Sequence, residues 1–334
     1  MKYWFLLLSV AIVLALAGAC YGLITDLLFG VCVAQGIDFE SDTSVAGATI
    51  PHDPYLERQW AIEAMNLPHA WSLSQGSGVV VAVLDTGVDG DHEDLAGKVV
   101  DEVNLSSSPS IADRYGHGTH IAGIIGATMD NGTGICGVAS DCSVLSVKVA
   151  DDNGRCDAPE VADGIVWAVE HGAEVINISL RLSSPCDELE AAVNYAWEEG
   201  VVIVAAAGNG GGSTPQYPAH YDQCIAVTSI EEDGTRAPLA NYGDWVDVAA
   251  PGYQICSTLP DDEYGYKTGT SQATAYVSGV AALVYSIVED GNGNGRVNDE
   301  VRAAIERGCR ELETGDLGKG LVDAAEAVEV ALTD

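Results

Sequence analysis

The stretch "GVVVAVLD", from Gly78 to Asp85, is a run of β-branched and small apolar residues that ends on a carboxylate. A continuous apolar run of this length predicts a strand that is buried on both faces, as in parallel sheets. Similar runs follow at 143–149, 173–180, 200–209, 224–230 and 246–252, and segments with helical periodicity lie among them at 117–127, 159–172, 186–200 and 271–288. The alternation predicts an α/β fold with a mostly parallel central sheet and helices on both faces.

Composition limits the classes of protein and of partner. The chain has 334 residues, of which 47% are hydrophobic, enough for one large α/β domain with an N-terminal extension. Fourteen basic residues against 50 acidic ones give a formal net charge of −36. A surface this acidic repels nucleic acids and anionic membranes, so we expect no nucleic-acid partner. It offers many oxygen ligands for a hard cation such as calcium.

The N-terminus has the features of an export signal. Lys2 supplies a positive charge, an apolar segment runs from Trp4 to Leu16, and the small residues 17–19 fit a cleavage site. Three outcomes stay open: a cleaved signal peptide, a retained membrane anchor, or a lipid-modified Cys20. Each puts the chain in the extracellular space or on the outer face of the cell membrane. The predicted parts are a signal peptide or anchor (1–19), an apolar segment and polar linker (20–50), and a main domain (51–334).

Seven cysteines lie beyond the N-terminal segment, at Cys136, Cys142, Cys156, Cys186, Cys224, Cys256 and Cys309. In an exported protein the default expectation for them is disulfide bonding. Because seven is odd, at least one of them is free or pairs outside this set. The sequence leaves the pairing open.

Three polar residues stand where predicted strands end or helices begin. Asp85 closes the first strand, His117 lies in the glycine-rich stretch "YGHGTHIAG", and Ser271 opens the last apolar helix. Each has an ordinary structural interpretation on its own: a solvated carboxylate, a core or surface histidine, and a helix-capping serine. The structural interpretation also applies to His120, in the same stretch as His117.

Together the three residues meet the requirements of acyl transfer by a serine. The hydroxyl needs a base to take its proton, and the base needs a carboxylate that orients it and stabilises its charged form. The chain order Asp, His, Ser is one of those in which this constellation occurs. Asn209 ends the run "VIVAAAGN", where its side-chain amide could donate a hydrogen bond to a developing oxyanion.

These residues lie within four ordered motifs, "VAVLDTGVD", "GHGTHIAG", "AAAGN" and "GTSQATAYVSG". With them the chain resembles the subtilisin-like serine proteases (subtilases, peptidase family S8), and thermitase-type members in particular, over the whole main domain. The resemblance implies a three-layer subtilisin-like fold and an exported serine endopeptidase that hydrolyses polypeptides through an acyl-enzyme. It assigns Asp85, His117 and Ser271 to a catalytic triad, and Asn209 with the Ser271 backbone N–H to an oxyanion hole. We expect a monomer.

The resemblance also implies a substrate cleft, in which an extended peptide adds as a strand to exposed backbone. The cleft would be formed by Ser179, Leu180, Arg181 and Leu182 on one edge, and by Ala206, Ala207 and Gly208 as a wall of the pocket for the residue before the scissile bond. The family usually has glycine where this chain has Arg181 and Leu182. We expect their side chains to narrow the cleft, or Arg181 to select acidic substrate residues; the alternative is that they simply point to solvent.

A structural calcium site is a further implication of the resemblance. Its ligands would be the carboxylates of Asp53 and Asp94, the side chain of Asn131, and the backbone carbonyls of Thr128, Thr133 and Ile135. Oxygen ligands from separate segments suit calcium and would tie the N-terminal arm of the domain to the core. The stretch "DGNGNGRVNDEV" (290–301) begins like an EF-hand loop but has valine at the twelfth position, and we interpret it as a turn between helices.

The nucleophile motif departs from the family at three positions, where Gln272, Ala275 and Tyr276 replace the usual Met, Pro and His. None of these replacements removes a catalytic group. Ala275 is smaller and freer than the usual proline and lies within one helical turn of Ser271, so it should shift the serine slightly without disabling it, and we expect a somewhat slower hydrolase. Two other functions stay open: a peptide-binding homologue with weak or no turnover, and a processing protease with one narrow substrate.

Overall fold

A nine-stranded sheet is the central element of the computed structural model, which describes residues 50–333. The described part contains the strands β1 (Val80–Asp85), β2 (Val99–Asn104), β3 (Ser143–Lys148), β4 (Val175–Ile178), β5 (Val202–Ala206), β6 (Cys224–Ile230), β7 (Val248–Pro251), β8 (Ile255–Leu259), β9 (Glu263–Lys267), β10 (Cys309–Arg310) and β11 (Leu321–Val322). Across the sheet they follow the order β10-β11-β7-β6-β5-β4-β1-β3-β2, and β8 and β9 form a separate antiparallel pair. Neighbouring strands of the large sheet are parallel except β10 and β11.

Helices precede, separate and follow the strands, after a short 3-10 turn at Leu56–Arg58. They are α1 (Ala61–Ala64), α2 (Leu67–Trp71), α3 (Gly118–Gly126), α4 (Ala158–Glu170), α5 (Asp187–Glu198), α6 (Thr270–Tyr285), α7 (Asn298–Arg307) and α8 (Ala324–Thr333). The start of α4 shows how the sequence sets a helix boundary. The Asp157 side chain accepts a backbone N–H of the first turn, and the Glu160 carboxylate accepts the Asp157 N–H at 2.9 Å, which together form a capping box.

Alternate residues of β1 face two separate hydrophobic cores. Val81 and Val83 pack in a core that includes residues of α3 and α6, whereas Ala82 and Leu84 pack in a second core with residues of α4 and α5. Helices therefore cover both faces of the sheet. The predicted three-layer α/β architecture is confirmed.

Strand β2 was not predicted, because it is an edge strand with little burial. Its residues are half-buried or exposed along the whole of Val99–Asn104, so the sequence shows no continuous apolar run there. The segments 1–19 and 20–49, to which the export signal and linker belong, lie outside the described residues. Within residues 50–333, no helix combines the length and the apolar character that a membrane span requires.

The seven cysteines of the described part carry free thiols, so the expectation of disulfides among them was wrong. They are dispersed through the fold: Cys142 lies in the first core, Cys224 in the second, and Cys256 in a small third cluster. Burial raises the pKa of Cys142 to about 12, which keeps that thiol protonated at neutral pH.

Candidate active site

Three neighbouring strands and two helix starts converge at one edge of the sheet. Strand β1 ends at Asp85, β4 ends one residue before Ser179, and β5 ends three residues before Asn209. His117 immediately precedes α3, and Ser271 is the second residue of the 16-residue helix α6. A cleft of about 550 Å³ opens at this edge, where open parallel sheets bind their ligands, and His117, Asn209 and Ser271 all line it.

Asp85 is fully buried, and its carboxylate orients the His117 imidazole through hydrogen bonds. Its two carboxylate oxygens lie 2.8 and 2.9 Å from His117 Nδ1, and Oδ1 also accepts the Thr86 N–H at 2.7 Å. Nδ1 therefore carries the proton of the neutral imidazole, which leaves Nε2 as an acceptor. The residue after the histidine must be glycine, since a Cβ on Gly118 would lie 2.0 Å from the Gly87 carbonyl oxygen.

Burial and charge act in opposite directions on His117. Burial lowers the pKa of the imidazole, but the charge and the hydrogen bond of Asp85 raise it by more, and the net pKa lies above the usual 6.5. His117 is thus a neutral base only above that raised pKa. His120 differs: burial lowers its pKa to about 3, and its Nε2 lies 3.2 Å from the carbonyls of Ile255 and Gly265, which suits a structural role.

Asp113 organises the loop around His117, a role that the sequence motifs do not predict. Its Oδ1 accepts the Gly116 N–H at 2.7 Å, and its Oδ2 accepts the N–H and the hydroxyl of Thr119 at 2.9 and 2.7 Å. The same carboxylate thus fixes the backbone on both sides of His117. The available signal was an aspartate four residues before the histidine, in "DRYGH".

Ser271 is tied to strand β4 by a short network of hydrogen bonds. Its hydroxyl donates to the Ser179 carbonyl at 3.2 Å, and the Ser179 hydroxyl donates to the Ser271 carbonyl at 3.1 Å. Asn177 donates to the Ser179 hydroxyl at 3.0 Å and accepts the Ser278 hydroxyl at 3.0 Å. The network fixes the first turns of α6, where the helix dipole favours negative charge.

Asn209 presents a hydrogen-bond donor to the cleft. Its Oδ1 accepts the Thr270 N–H at 2.9 Å, and the Thr270 hydroxyl accepts the Gly208 N–H at 3.0 Å. Because the amide group is planar, these bonds fix its orientation and leave the Nδ2 hydrogens for another acceptor. The Ser271 N–H lies in the first turn of α6 and has no acceptor within the helix. The two groups could together bind an oxyanion.

Five of the seven residues predicted to form the cleft line it: Ser179, Leu180, Arg181, Ala206 and Gly208. One exception is Ala207, which is fully buried and whose carbonyl accepts the Asn241 side-chain amide at 2.8 Å. The neighbouring Leu182 is half-buried against the second core, and its backbone pairs with that of Tyr217 at 2.8 and 2.9 Å. Its side chain thus packs on the core, and the prediction that it narrows the cleft is not supported.

The two predicted carboxylate ligands of calcium both hold the loop 130–135. Asp53 accepts the backbone N–H groups of Asp130 and Gly132 at 2.6 and 3.1 Å. Asp94 accepts the Asn131 side-chain amide and the Ile135 N–H, each at 2.9 Å. Of the residues predicted to offer backbone carbonyls, Thr133 and Ile135 belong to this loop, and Thr128 lies two residues before it.

Both carboxylates are buried, with exposures of 4% for Asp53 and 0% for Asp94, and burial raises the pKa of Asp94. Cys136 lies beside Asp53, to which its thiol donates a hydrogen bond at 3.0 Å. Burial raises the pKa of this thiol, and the hydrogen bond to Asp53 and the charges of Asp53 and Asp94 raise it further. Two buried carboxylates that hold the same loop and have neutral partners fit a divalent cation, since burying uncompensated charge is costly. Among residues 50–333 no metal-binding group of three or more His, Cys, Asp or Glu side chains is found, so such a cation would depend also on amide and carbonyl oxygens.

Comparison with known proteins places this geometry in a family. The model of the subtilase family matches residues 76–319. Thermitase of Thermoactinomyces vulgaris is 44% identical over 285 residues, which cover 84% of this chain and 99% of thermitase. Subtilisin BL of Lederbergia lenta is 39% identical over 270 residues, which cover 80% of this chain and 97% of that protein.

A solved structure agrees with the sequence comparisons. A protease from Pseudoalteromonas arctica PAMC 21717 matches with a TM-score of 0.76 and 32% identity, over 85% of this chain and all of that one. Fold, motifs and relatives lead to the same result: the chain belongs to the subtilase family and is a serine-type endopeptidase of the hydrolase class.

Proposed function

We propose that Asp85, His117 and Ser271 are the catalytic triad of an exported endopeptidase, and that Asn209 completes its oxyanion hole. The observation that carries this proposal is the meeting of the Asp85–His117 pair, the Ser271 hydroxyl and the Asn209 amide in one cleft. The presence of all four groups argues for turnover and against a homologue that only binds peptides.

In the proposed reaction Ser271 Oγ exchanges its hydrogen bond with the Ser179 carbonyl for one with His117 Nε2. It then attacks the carbonyl carbon of the substrate as the imidazole takes its proton, and the buried Asp85 carboxylate stabilises the imidazolium. The oxyanion accepts hydrogen bonds from Asn209 Nδ2 and the Ser271 N–H. As the tetrahedral intermediate collapses, His117 gives the proton to the leaving amine. Water then attacks the acyl-enzyme in the same way, with His117 as the base, and releases the acid product and Ser271.

Replacing Asn209 tests this reaction path. In the Asn209→Ala variant we expect kcat to fall about 10²–10³-fold, the range known for removal of such a donor from subtilisin, with KM nearly unchanged. The reason is that the amide contacts the oxyanion more strongly than the ground-state carbonyl. Steady-state hydrolysis of a chromogenic peptide anilide gives both constants.

The matched control for that substitution is Asn209→Asp, which keeps an acceptor for the Thr270 N–H but removes the donor. We expect it to lose at least as much kcat as the alanine variant. Activity close to that of wild type in either variant would contradict the assignment of Asn209.

We propose further that calcium binds at the loop 130–135 through Asp53, Asp94, Asn131 and the neighbouring carbonyls. A bound calcium ion would neutralise the two buried carboxylates and link the N-terminal arm of the domain to the loop after α3.

We also place the protein outside the cytoplasm, since the features of residues 1–19 are those of an export signal. Its substrates are polypeptides.

Chelation should lower thermal stability. If calcium is present at 100 times its Kd, binding stabilises the folded state by about 2.7 kcal/mol, so we expect EDTA to lower Tm by roughly 5–10 °C. Differential scanning calorimetry in calcium and in EDTA measures the shift. The variants Asp53→Asn and Asp94→Asn should lose it.

A third variant separates this loop from the stretch 290–301. Asp290 there accepts the N–H groups of Gly293 and Gly295 at 2.7 and 2.8 Å, as in the turn that the sequence predicts. Asp290→Asn should therefore keep the calcium-dependent shift of Tm. A shift that is absent from wild type, or that only Asp290→Asn abolishes, would contradict the proposed site.

A further inference from the structure

The substrate cleft is positively lined, although the chain as a whole is strongly acidic. The formal net charge is −36, yet the residues that line the cleft include two arginines, Arg155 and Arg181, and no carboxylate among those described. Lys267 lies near one of the lining residues, with its Nζ 6.0 Å from the ring centre of Tyr115. With so few basic residues in the chain, this concentration of positive charge distinguishes the cleft from the rest of the surface.

The two arginines of the cleft differ in their neighbours. Arg155 lies beside an acidic residue, Asp151, whose carboxylate accepts the Arg155 backbone N–H at 2.9 Å and whose pKa is lowered first by that hydrogen bond and least by the charge of the guanidinium. The guanidinium of Arg181 instead reaches a neutral partner, Gln216 Oε1, at 3.4 Å. Arg181 therefore offers a largely uncompensated positive charge to whatever enters the cleft.

Gln216 fixes where that charge lies. It is buried, and its Nε2 donates to the carbonyls of Thr214 and Pro215 at 3.2 and 3.0 Å, which turns Oε1 towards Arg181. The arginine stem crosses Gly208, because a Cβ on that glycine would lie 3.1 Å from Arg181 Cδ. Gly208 is the residue immediately before Asn209.

This location corresponds to one position of the substrate. The scissile carbonyl would lie between Ser271 and the Asn209 amide, and the side chain nearest to that carbonyl belongs to the residue that precedes the scissile bond. That side chain would lie beside Gly208, under the Arg181 guanidinium. On the basis of the proposed function, we infer that Arg181 is a specificity residue that selects aspartate or glutamate immediately before the scissile bond.

A pair of peptides that differ only in Glu or Gln at that position tests the inference, because the two side chains have the same size and differ in charge. We expect wild type to cleave the Glu peptide with a kcat/KM at least about tenfold higher, which corresponds to 1.4 kcal/mol. In Arg181→Gln the ratio should fall to about one through loss of activity on the Glu peptide alone. Raising the salt concentration should lower the wild-type ratio, because salt screens a partly exposed charge pair.

Two further arginine variants serve as comparisons. Arg114→Gln removes the same charge from an exposed side chain outside the cleft lining and should keep the wild-type ratio. Arg155→Gln should keep most of it. A wild-type ratio near one, or a ratio that survives Arg181→Gln, would overturn the inference, and its disappearance in Arg155→Gln would assign the selection to Arg155 instead.

The outcomes also separate this inference from the proposed function. If both peptides are cleaved equally and a fluorophosphonate still labels Ser271, only the selection of acidic residues is wrong. If neither peptide is cleaved and Ser271 is not labelled, the proposed function itself fails. Activity of Arg181→Gln on the Gln peptide shows that this variant retains a folded cleft.

Discussion

Asp85→Asn should lower kcat by about 10⁴-fold, the loss known for serine proteases in which the triad carboxylate is removed. Asp85 accepts a hydrogen bond from the Nδ1–H group of His117, with 2.8 Å between Nδ1 and Oδ1. This contact keeps the imidazole proton on Nδ1 and leaves Nε2 free to take the proton of Ser271. An asparagine amide could instead donate to Nδ1, which would put the imidazole proton on Nε2 and block the base. Steady-state rates on a peptide anilide measure the loss.

The pH profile distinguishes this role from a general loss of structure. In wild type kcat/KM should rise with pH through a pKa above 6.5, because Asp85 raises the pKa of His117 and only the neutral imidazole is a base. In Asp85→Asn that charge is absent while burial still lowers the pKa, so the residual activity should reach its plateau at lower pH. Asp163→Asn, on an exposed position of α4, should keep the wild-type rate and profile.

The raised pKa of His117 affects activity and stability in opposite directions as the pH rises. Because the folded-state pKa of His117 is raised, the protonated His117–Asp85 pair stabilises the folded state fully below the unfolded-state value of 6.5. This contribution is lost as the pH rises through the raised folded-state pKa. Activity therefore appears over the pH range in which the pair stops stabilising the fold. If kcat/KM depended on pH in the same way in wild type and in Asp85→Asn, the assignment of Asp85 to the catalytic triad would be contradicted.

Strongly patterned segments were predictable from the sequence. The run 224–230 is apolar, is buried on both faces and coincides with β6, whereas the run predicted at 78–85 begins two residues too early, because Gly76 and Gly78 adopt positive φ angles that end the loop before β1. Strand β2 was missed because an exposed edge strand carries no buried run. The disulfides were wrongly expected because composition suggests pairing but does not show where each thiol packs.

The sequence predicts which residues form the catalytic site, but it does not predict the contacts that position them. The motifs place Asp85, His117 and Ser271 at strand and helix ends, and the fold brings those ends together. Asp113 carries no motif of its own, because its role depends on the backbone of the loop that it holds. The orientation of Arg181 depends on Gln216, 35 residues away in the chain, and no local pattern predicts that contact. The effect of Ala275 on the rate stays a prediction, although its full burial places it away from the cleft surface.

Loss of the nucleophile should have the largest effect. Ser271→Ala removes the oxygen that forms the acyl-enzyme, and we expect kcat to fall about 10⁶-fold, the loss known for subtilisin without its nucleophile. The residue is 7% exposed and, among residues 50–333, its hydroxyl bonds only to the Ser179 carbonyl, so the substitution should leave the fold intact. A melting temperature close to that of wild type is the control.

The most direct measurement is the site of covalent labelling by a fluorophosphonate. We expect one adduct per molecule in calcium-containing buffer, located by peptide mass spectrometry on Ser271 and absent from Ser271→Ala. Labelling should slow strongly in Asp85→Asn, because the hydroxyl is then poorly activated. An unchanged mass of the folded wild-type protein, or an adduct on another residue, would contradict the claim that Ser271 is the nucleophile.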